Sequence, residues 1–131
     1  MSKEKTAASK RPLSPHLQVY KPQMTSVMSI LHRATGVGLA IGTVILVWVL
    51  IAAATSESYY DYVVGLLSSS IGQLALIGLT FALFYHMCNG VRHLFWDMGY
   101  LFKLQNAFRA GWLVLASSVT LTVITWLCVY N

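Results

Sequence analysis

The sequence predicts an all-α membrane protein with three transmembrane helices, and its composition and long uncharged stretches are the basis of that prediction. Of its 131 residues, 56% are hydrophobic and 10% are charged, which is more apolar surface than a soluble domain of this size can bury. The stretches without a charged residue are 34–56, 62–91 and 110–131. Each exceeds the ~20 residues that a membrane-spanning helix needs. We expect helices at about 29–55, 65–97 and 108–130, with an outer loop near 57–62.

The distribution of charge predicts the orientation of these helices. With three crossings, all nine basic residues fall on the N-terminal side, and Glu57 and Asp61 fall on the other. By the positive-inside rule the N-terminus is cytoplasmic and the C-terminus is periplasmic, so we expect a multi-pass protein of the bacterial cytoplasmic membrane. The net charge of +5 then describes one face of the protein and does not indicate nucleic-acid binding.

The N-terminal segment differs from the rest of the chain. Residues 1–10 are polar and alternately charged, which predicts a mobile tail. Residues 11–23 hold all three prolines of the chain, and proline favours an extended arm over a helix. We therefore divide the chain into a cytoplasmic tail and arm over residues 1–25 and a three-helix transmembrane domain over residues 26–131.

His86 is the candidate functional residue that stands out, because it is the single ionisable side chain in the middle of the second hydrophobic run. Ten residues separate it from Trp96 at the expected membrane boundary, which places it roughly 15 Å deep. An intramembrane histidine needs a partner, and two remain open here: a hydrogen bond to a neighbouring helix, or an iron ligated by the imidazole. His93 lies on the same helix face, so the two cannot ligate one iron from opposite sides. A second axial ligand would come from elsewhere, and the positions of His16 and His32 in or beside the charged N-terminal region favour a second polypeptide as its source.

A second group of polar residues precedes the first hydrophobic run. Ser29, His32 and Arg33 follow the i, i+3, i+4 spacing that places side chains on one flank of a helix. They could form a polar pocket for an anionic propionate or a quinone carbonyl, since they supply directional donors and a permanent cation. Alternatively, Arg33 extends to the membrane surface as a topology anchor.

A repeat of small residues follows on the same helix. Ala34, Gly38 and Gly42 recur at every fourth position, a pattern that lets another helix approach closely. The approaching helix could belong to this chain or to another subunit.

Three spaced motifs carry a resemblance to a known family. They read Arg11-Pro-Leu, Ser29-x-x-His32-Arg33-x-Thr35-Gly36, and His86-x-x-x-Gly90-Val-Arg92-His93-x-Phe-x-Asp97-x-Gly99. In this order they resemble the cytochrome b556 subunits of succinate dehydrogenase, the larger membrane anchors of respiratory complex II. The resemblance covers residues 11–99, and the third predicted helix agrees in character alone.

The resemblance implies roles for the residues that match it. It implies that His86 is one axial ligand of haem b and that a second membrane anchor subunit, bundled with this chain, supplies the other. It further implies that Ser29 and Arg33 line a ubiquinone site near the iron–sulfur subunit, and that His32 lies near a haem propionate. For His93 and Asp97, a role in the haem vicinity or in proton delivery and a structural hydrogen bond both remain open.

The function implied by the resemblance is electron transfer from succinate to ubiquinone in the respiratory chain and the tricarboxylic acid cycle. The flavoprotein and iron–sulfur subunits would oxidise succinate, and this chain would have no catalytic activity alone. Two close alternatives are a haem-free structural anchor and the anchor of a fumarate reductase. A third is a transport subunit whose His86, Arg92 and His93 line a proton path, although the chain has no broken-helix repeat.

Overall fold

The computed structural model describes residues 21–131, and this part of the chain is entirely helical outside its short connections. The helices are α1 (Met24–Thr55), α2 (Glu57–Ser68), α3 (Ser70–Asp97) and α4 (Leu104–Tyr130). Helices α1, α3 and α4 are long and apolar enough to cross a membrane, with mean hydropathies of 2.6, 1.6 and 2.0 in their most apolar windows. The predicted all-α architecture with three candidate spans is therefore confirmed. The predicted tail and nearly all of the arm lie outside the described residues, and the division at residue 25 stays a prediction.

The connection between α1 and α3 differs from the expected loop, because it contains a helix of 12 residues. Two serines explain the difference, since each accepts a hydrogen bond at a helix N-terminus. The Ser56 hydroxyl accepts from the Tyr59 N–H at 3.3 Å, and the Ser69 hydroxyl accepts from the Gly72 N–H at 3.2 Å. Helix α2 therefore begins where a loop was expected, and α3 begins at Ser70 instead of near residue 65.

A tight corner joins α2 to α3. The last carbonyls of α2 lie directly over Gly72, so that a Cβ atom at this position would overlap the carbonyl oxygens of Leu66 and Leu67. A backbone carbonyl cannot rotate away as a flexible side chain can. Gly72 therefore permits the close approach that turns the chain from α2 into α3.

The other end of α3 is closed by a Schellman motif. Gly99 has a φ of 86°, a conformation that glycine adopts without a steric penalty. The Gly99 N–H donates to the Trp96 carbonyl at 2.8 Å, and the Tyr100 N–H donates to the Phe95 carbonyl at 3.0 Å. The Trp96 indole N–H also donates to the Leu101 carbonyl at 2.9 Å. These bonds stop α3 and direct the chain into α4, which begins at Leu104, four residues before its expected start.

Helices α1 and α3 each contact the other three helices, and the packing of α3 against α4 is the most extensive in the bundle. Met28, Tyr85 and Val114 form a buried core where α1, α3 and α4 meet. The Tyr85 hydroxyl donates to the Met28 carbonyl at 3.1 Å, which joins α3 to α1 inside this core. A polar bond of this kind is favoured where no water can serve as a partner.

The two ends of the bundle carry opposite charge. Helix α1 starts, α3 ends and α4 starts at one end, which we call the basic end because it carries every described lysine and arginine. These residues are Lys21, Arg33, Arg92, Lys103 and Arg109. Glu57 and Asp61 lie in α2 at the other end, where the Tyr130 hydroxyl donates to Gln73 at 3.1 Å. The charge asymmetry that the sequence predicts is thus present in the fold.

Much of the apolar surface of the chain is uncovered by the chain itself. Only 6% of the most apolar window of α1 is buried, so lipid or another protein must cover this helix. The small-residue repeat has a divided role. A Cβ added at Gly42 would lie 3.1 Å from the Leu79 side chain of α3, whereas one added at Gly38 would meet nothing within 4 Å. Gly42 therefore serves packing within the chain, and Gly38 faces outward.

The α2–α3 corner generates a stability prediction. Gly72→Ala should destabilise the purified protein by about 1–3 kcal/mol, because the new methyl group collides with backbone carbonyls. Gly78→Ala is the matched control on α3, where an added Cβ meets nothing within 4 Å and alanine improves helix propensity by up to ~1 kcal/mol. The measurement is the thermal midpoint in detergent. A Gly72→Ala midpoint equal to that of Gly78→Ala would show that the corner is not tight.

Candidate functional site

Three histidines from two helices meet in one cluster. His32 of α1 stacks on His86 of α3, with ring centroids 3.9 Å apart and planes inclined by 13°. The ring centroid of His93, two turns further along α3, lies 5.2 Å from that of His32. We call these three residues the histidine cluster. The sequence placed His86 and His93 on one face of a helix, and the fold brings His32 to that face.

His86 is oriented by the backbone of α1. Its Nδ1 atom lies 3.1 Å from the carbonyl oxygen of His32 and 3.3 Å from the hydroxyl oxygen of Thr35. A carbonyl oxygen can only accept, so the bond to His32 requires the Nδ1 proton. Nε2 of a neutral His86 is then unprotonated, with its lone pair available. This is the arrangement typical of a metal-ligating histidine, whose other nitrogen donates to a carbonyl or carboxylate.

Gly36 makes room for the His86 ring. A Cβ at this position would lie 3.1 Å from Cε1 of His86, which is tighter than an ordinary van der Waals contact. Thr35 beside it bonds back to its own helix, since its hydroxyl lies 2.9 Å from the carbonyl oxygens of Leu31 and His32. The Thr35–Gly36 pair therefore shapes the wall of α1 that faces His86. Sequence reasoning noted both residues within a motif but gave neither a role.

The histidine cluster does not form a metal site by itself. Among residues 21–131, no group of three or more His, Cys, Asp or Glu side chains could hold a metal ion, which fits the parallel stacking of His32 on His86. Within the same residues, the buried Nδ1 atom of His32 has no hydrogen-bond partner. The cluster thus offers one oriented Nε2 and one unpaired buried nitrogen. These donors fit a cofactor that takes one axial ligand from this chain, and they would suit haem b.

The predicted quinone residues lie on α1 beside the histidine cluster. Ser29 is half-buried one turn before His32, and Arg33 is exposed immediately after it. Neither side chain has a hydrogen bond or ion pair within the described part of the chain. Both donors are therefore free to bind a group from outside, at the basic end of the bundle.

A buried polar network lies on the side of α3 that faces α4, and sequence reasoning missed it. Asn89 is fully buried and Arg92 is only 3% exposed. Arg92 donates to the Asn89 side-chain oxygen at 3.4 Å and to the Ala107 carbonyl of α4 at 3.2 Å, and it lies 4.0 Å above the Trp96 ring. The signal was present as two polar residues three positions apart in an apolar helix. The charge count used Arg92 as a marker of topology and the transport alternative placed it on a proton path, but neither predicted its burial beside Asn89.

Asn89 joins this network to the histidine cluster. Because arginine can only donate, the Asn89 oxygen faces Arg92, and its amide nitrogen lies 3.5 Å from Nε2 of His93. His93 also contacts the Trp96 ring edge-on, with centroids 5.3 Å apart. Asp97, expected on the same face, is exposed and contacts no histidine of the cluster. An added Cβ at Gly90 would meet nothing within 4 Å, so the surface beside the cluster is open.

Comparison with known proteins places this geometry in a family context. The family model for the succinate dehydrogenase/fumarate reductase transmembrane subunit matches residues 7–125. The succinate dehydrogenase cytochrome b556 subunit of Rickettsia conorii is 47% identical over 117 residues, which cover 89% of this chain and 91% of that protein. The b556 subunit of Paracoccus denitrificans is 41% identical over 115 residues, with 88% of each chain covered.

A mitochondrial relative extends the comparison. The human mitochondrial succinate dehydrogenase cytochrome b560 subunit is 38% identical over 117 residues, which cover 88% of this chain and 69% of the human protein. These matches span all three candidate transmembrane helices. The chain therefore belongs to the family of succinate dehydrogenase and fumarate reductase transmembrane subunits.

Proposed function

We propose that this chain is the cytochrome b anchor subunit of a succinate dehydrogenase, and that it contributes a haem ligand and part of a ubiquinone site. The relatives are named as cytochrome b556 and b560 subunits of that enzyme, and a b-type cytochrome holds haem b. The observation that carries the haem proposal is the bond between His86 Nδ1 and the His32 carbonyl. It leaves Nε2 of His86 unprotonated, and no hydrogen bond within residues 21–131 occupies it, whereas Nε2 of His93 faces the Asn89 amide.

Haem b would store and pass on one electron at a time. In this proposal His86 would hold the iron, and His32 and His93 would lie in the haem vicinity. The carbonyl bond holds the His86 ring in one orientation and one tautomer. The unpaired Nδ1 of His32 is available to a propionate. A histidine of the second anchor subunit would be the other iron ligand, because His32 stacks on His86 and does not face it.

Ubiquinone would bind at the basic end beside the cluster. The Ser29 hydroxyl donates a hydrogen bond to a quinone carbonyl, and the Arg33 guanidinium stabilises negative charge as the quinone is reduced. Donors fixed where charge develops lower the barrier most effectively in a site shielded from water. The half-buried position of Ser29 and the exposed position of Arg33 suit a site completed by another subunit.

The remaining parts of the complex follow from the asymmetry of the bundle. We propose that the basic end faces the bacterial cytoplasm, with the C-terminus in the periplasm, as the positive-inside rule predicts. The iron–sulfur and flavoprotein subunits then dock at this end and oxidise succinate, so this chain alone is inactive. The uncovered apolar face of α1 is available to the second anchor subunit and to lipid.

One alternative function has support from the comparisons, because the family description also includes fumarate reductase. The same residues would then bind a reduced quinone and pass electrons in the opposite direction. The named relatives are succinate dehydrogenase subunits, which favours succinate oxidation. A haem-free anchor is the other alternative. A purified complex without a b-type haem spectrum would support it, and a complex with that spectrum would exclude it.

The haem proposal predicts a spectroscopic change. The purified complex should give the reduced-minus-oxidised spectrum of a six-coordinate b-type haem, and His86→Ala should abolish or shift that signal because an axial ligand is lost. Leu83→Ala, at an exposed position one turn earlier on α3, is the control and should leave the spectrum unchanged. An unaltered b-type spectrum in an assembled His86→Ala complex would refute the assignment.

The contact between Gly36 and His86 predicts a graded effect on the same signal. Gly36→Val should displace the His86 ring at a cost of about 1–3 kcal/mol, which lowers haem content or shifts the spectrum. Gly38→Val adds the same volume two residues away, where a Cβ meets nothing of this chain within 4 Å. Haem content is measured against subunit content in both variants. Equal spectra would show that Gly36 does not position the ligand.

The quinone proposal predicts a separation of two activities. Arg33→Ala should lower succinate-dependent ubiquinone reduction by about ten- to hundredfold, as expected when one charge-stabilising donor is removed. Succinate oxidation by an artificial acceptor should persist, since it bypasses the quinone site. Lys103→Ala removes an exposed cation from the same end and should retain both activities. Parallel loss of both activities in Arg33→Ala would indicate an assembly defect instead.

A further inference from the structure

A groove runs between α3 and α4 on the outer surface of the bundle, apart from the histidine cluster. It encloses about 470 Å³, and its walls are almost entirely apolar. Four of its lining residues are themselves about half exposed or more: Met87, Val91, Phe95 and Leu113. The groove is therefore open to the surrounding bilayer and presents a hydrocarbon-like surface to it.

Arg92 is the one charged residue in this groove. Its guanidinium donates to the Asn89 oxygen and to the Ala107 carbonyl, and its Nε atom is buried without a hydrogen-bond partner among residues 21–131. A guanidinium has five N–H donors, so these two neutral acceptors leave most of them unused. No carboxylate contributes to the site in the described chain. A charge removed from water without a counterion is strongly unfavourable. We therefore expect Arg92 to bind an anion that does not belong to this chain.

A second cation lies at the mouth of the groove. Arg109, Leu113 and Ser117 follow one another at every fourth position of α4 and so share one stripe of that helix. Leu113 and Ser117 line the groove, which places the exposed Arg109 above it at the basic end. The groove thus carries positive charge at its membrane-surface end and apolar walls below.

We propose that this groove binds an anionic phospholipid, with its phosphate on Arg92 and an acyl chain along the apolar walls. The order of chemistry along the groove, two cations and then hydrocarbon, is the order of a phospholipid from headgroup to chain. Basic pockets between transmembrane helices bind acidic headgroups in this way. A free phosphate would leave the apolar walls unused. The planar fork of Arg92, whose Cζ atom lies 4.0 Å from the centre of the Trp96 ring, suits bidentate contact with phosphate oxygens.

The test is lipid retention by the assembled complex. The wild-type complex and its variants are purified, extensively delipidated in detergent, and returned to phosphatidylcholine nanodiscs that contain a minor fraction of phosphatidylglycerol. Native mass spectrometry after release from the nanodiscs then counts the lipids retained per complex. Arg92→Gln removes the charge, and Ser117→Leu narrows the groove with a larger apolar side chain while it keeps Arg92. Lys103→Gln removes a cation that does not line the groove and is the matched control.

The wild-type and Lys103→Gln complexes should retain phosphatidylglycerol in preference to phosphatidylcholine. Arg92→Gln should lower that retention about tenfold, the loss expected for a charge-assisted contact, and Ser117→Leu should lower it as well. If Arg92→Gln does not assemble, Ser117→Leu decides the outcome. Equal retention of the two lipids by the wild type would overturn the proposal. Unchanged phosphatidylglycerol retention in Ser117→Leu would also overturn it, as would displacement of the lipid by inorganic phosphate alone.

A crosslink from Met87 or Leu113 to a partner subunit would also overturn the lipid proposal, because the groove would then be covered by protein.

Discussion

The bond from His86 to the His32 carbonyl is the interaction on which the candidate site depends. A histidine in the middle of a membrane helix must find a partner within protein, and here that partner is the backbone of α1. The bond determines which imidazole nitrogen carries the proton and joins α1 to α3. Gly36 permits the short separation that the bond requires. The proposed cofactor chemistry and the helix packing therefore rest on the same few atoms.

Helix α3 carries two groups of polar side chains on different faces. His86 and His93 face α1, whereas Arg92 faces α4 and holds the Ala107 carbonyl. Asn89 contacts both sides, since its oxygen accepts from Arg92 and its nitrogen approaches His93. A buried amide that bonds on both of its sides restricts the neighbours on each side. A change at Asn89 should therefore reach both the histidine cluster and the α3–α4 interface, unlike a change at either end.

The sequence was sufficient for features that depend on one helix at a time. Uncharged runs predicted the three spans, and the isolated position of His86 singled out a residue that the fold places in the histidine cluster. Features that depend on contacts between helices were not predictable. Gly36 looked no different from Gly38, because the register of α1 against α3 decides which glycine meets His86. Arg92 looked like an end marker because its burial comes from α4. Helix α2 was missed because its tyrosines suggested an interfacial loop, whereas the hydroxyls of Ser56 and Ser69 cap the helices α2 and α3 that begin there.

The buried nitrogen atoms that have no hydrogen-bond partner within residues 21–131 are informative about the assembly of this protein. A membrane protein complete in itself would pair its buried nitrogens and cover its cations, yet Nδ1 of His32 and Nε of Arg92 have no partner in the described chain. The two atoms lie on opposite sides of α3 and therefore need different occupants. The proposals assign a haem propionate to the α1 side and an anionic lipid to the α4 side. Buried polar atoms without partners among the described residues, together with the small buried fraction of α1, fit a subunit whose polar groups are satisfied only within a larger assembly.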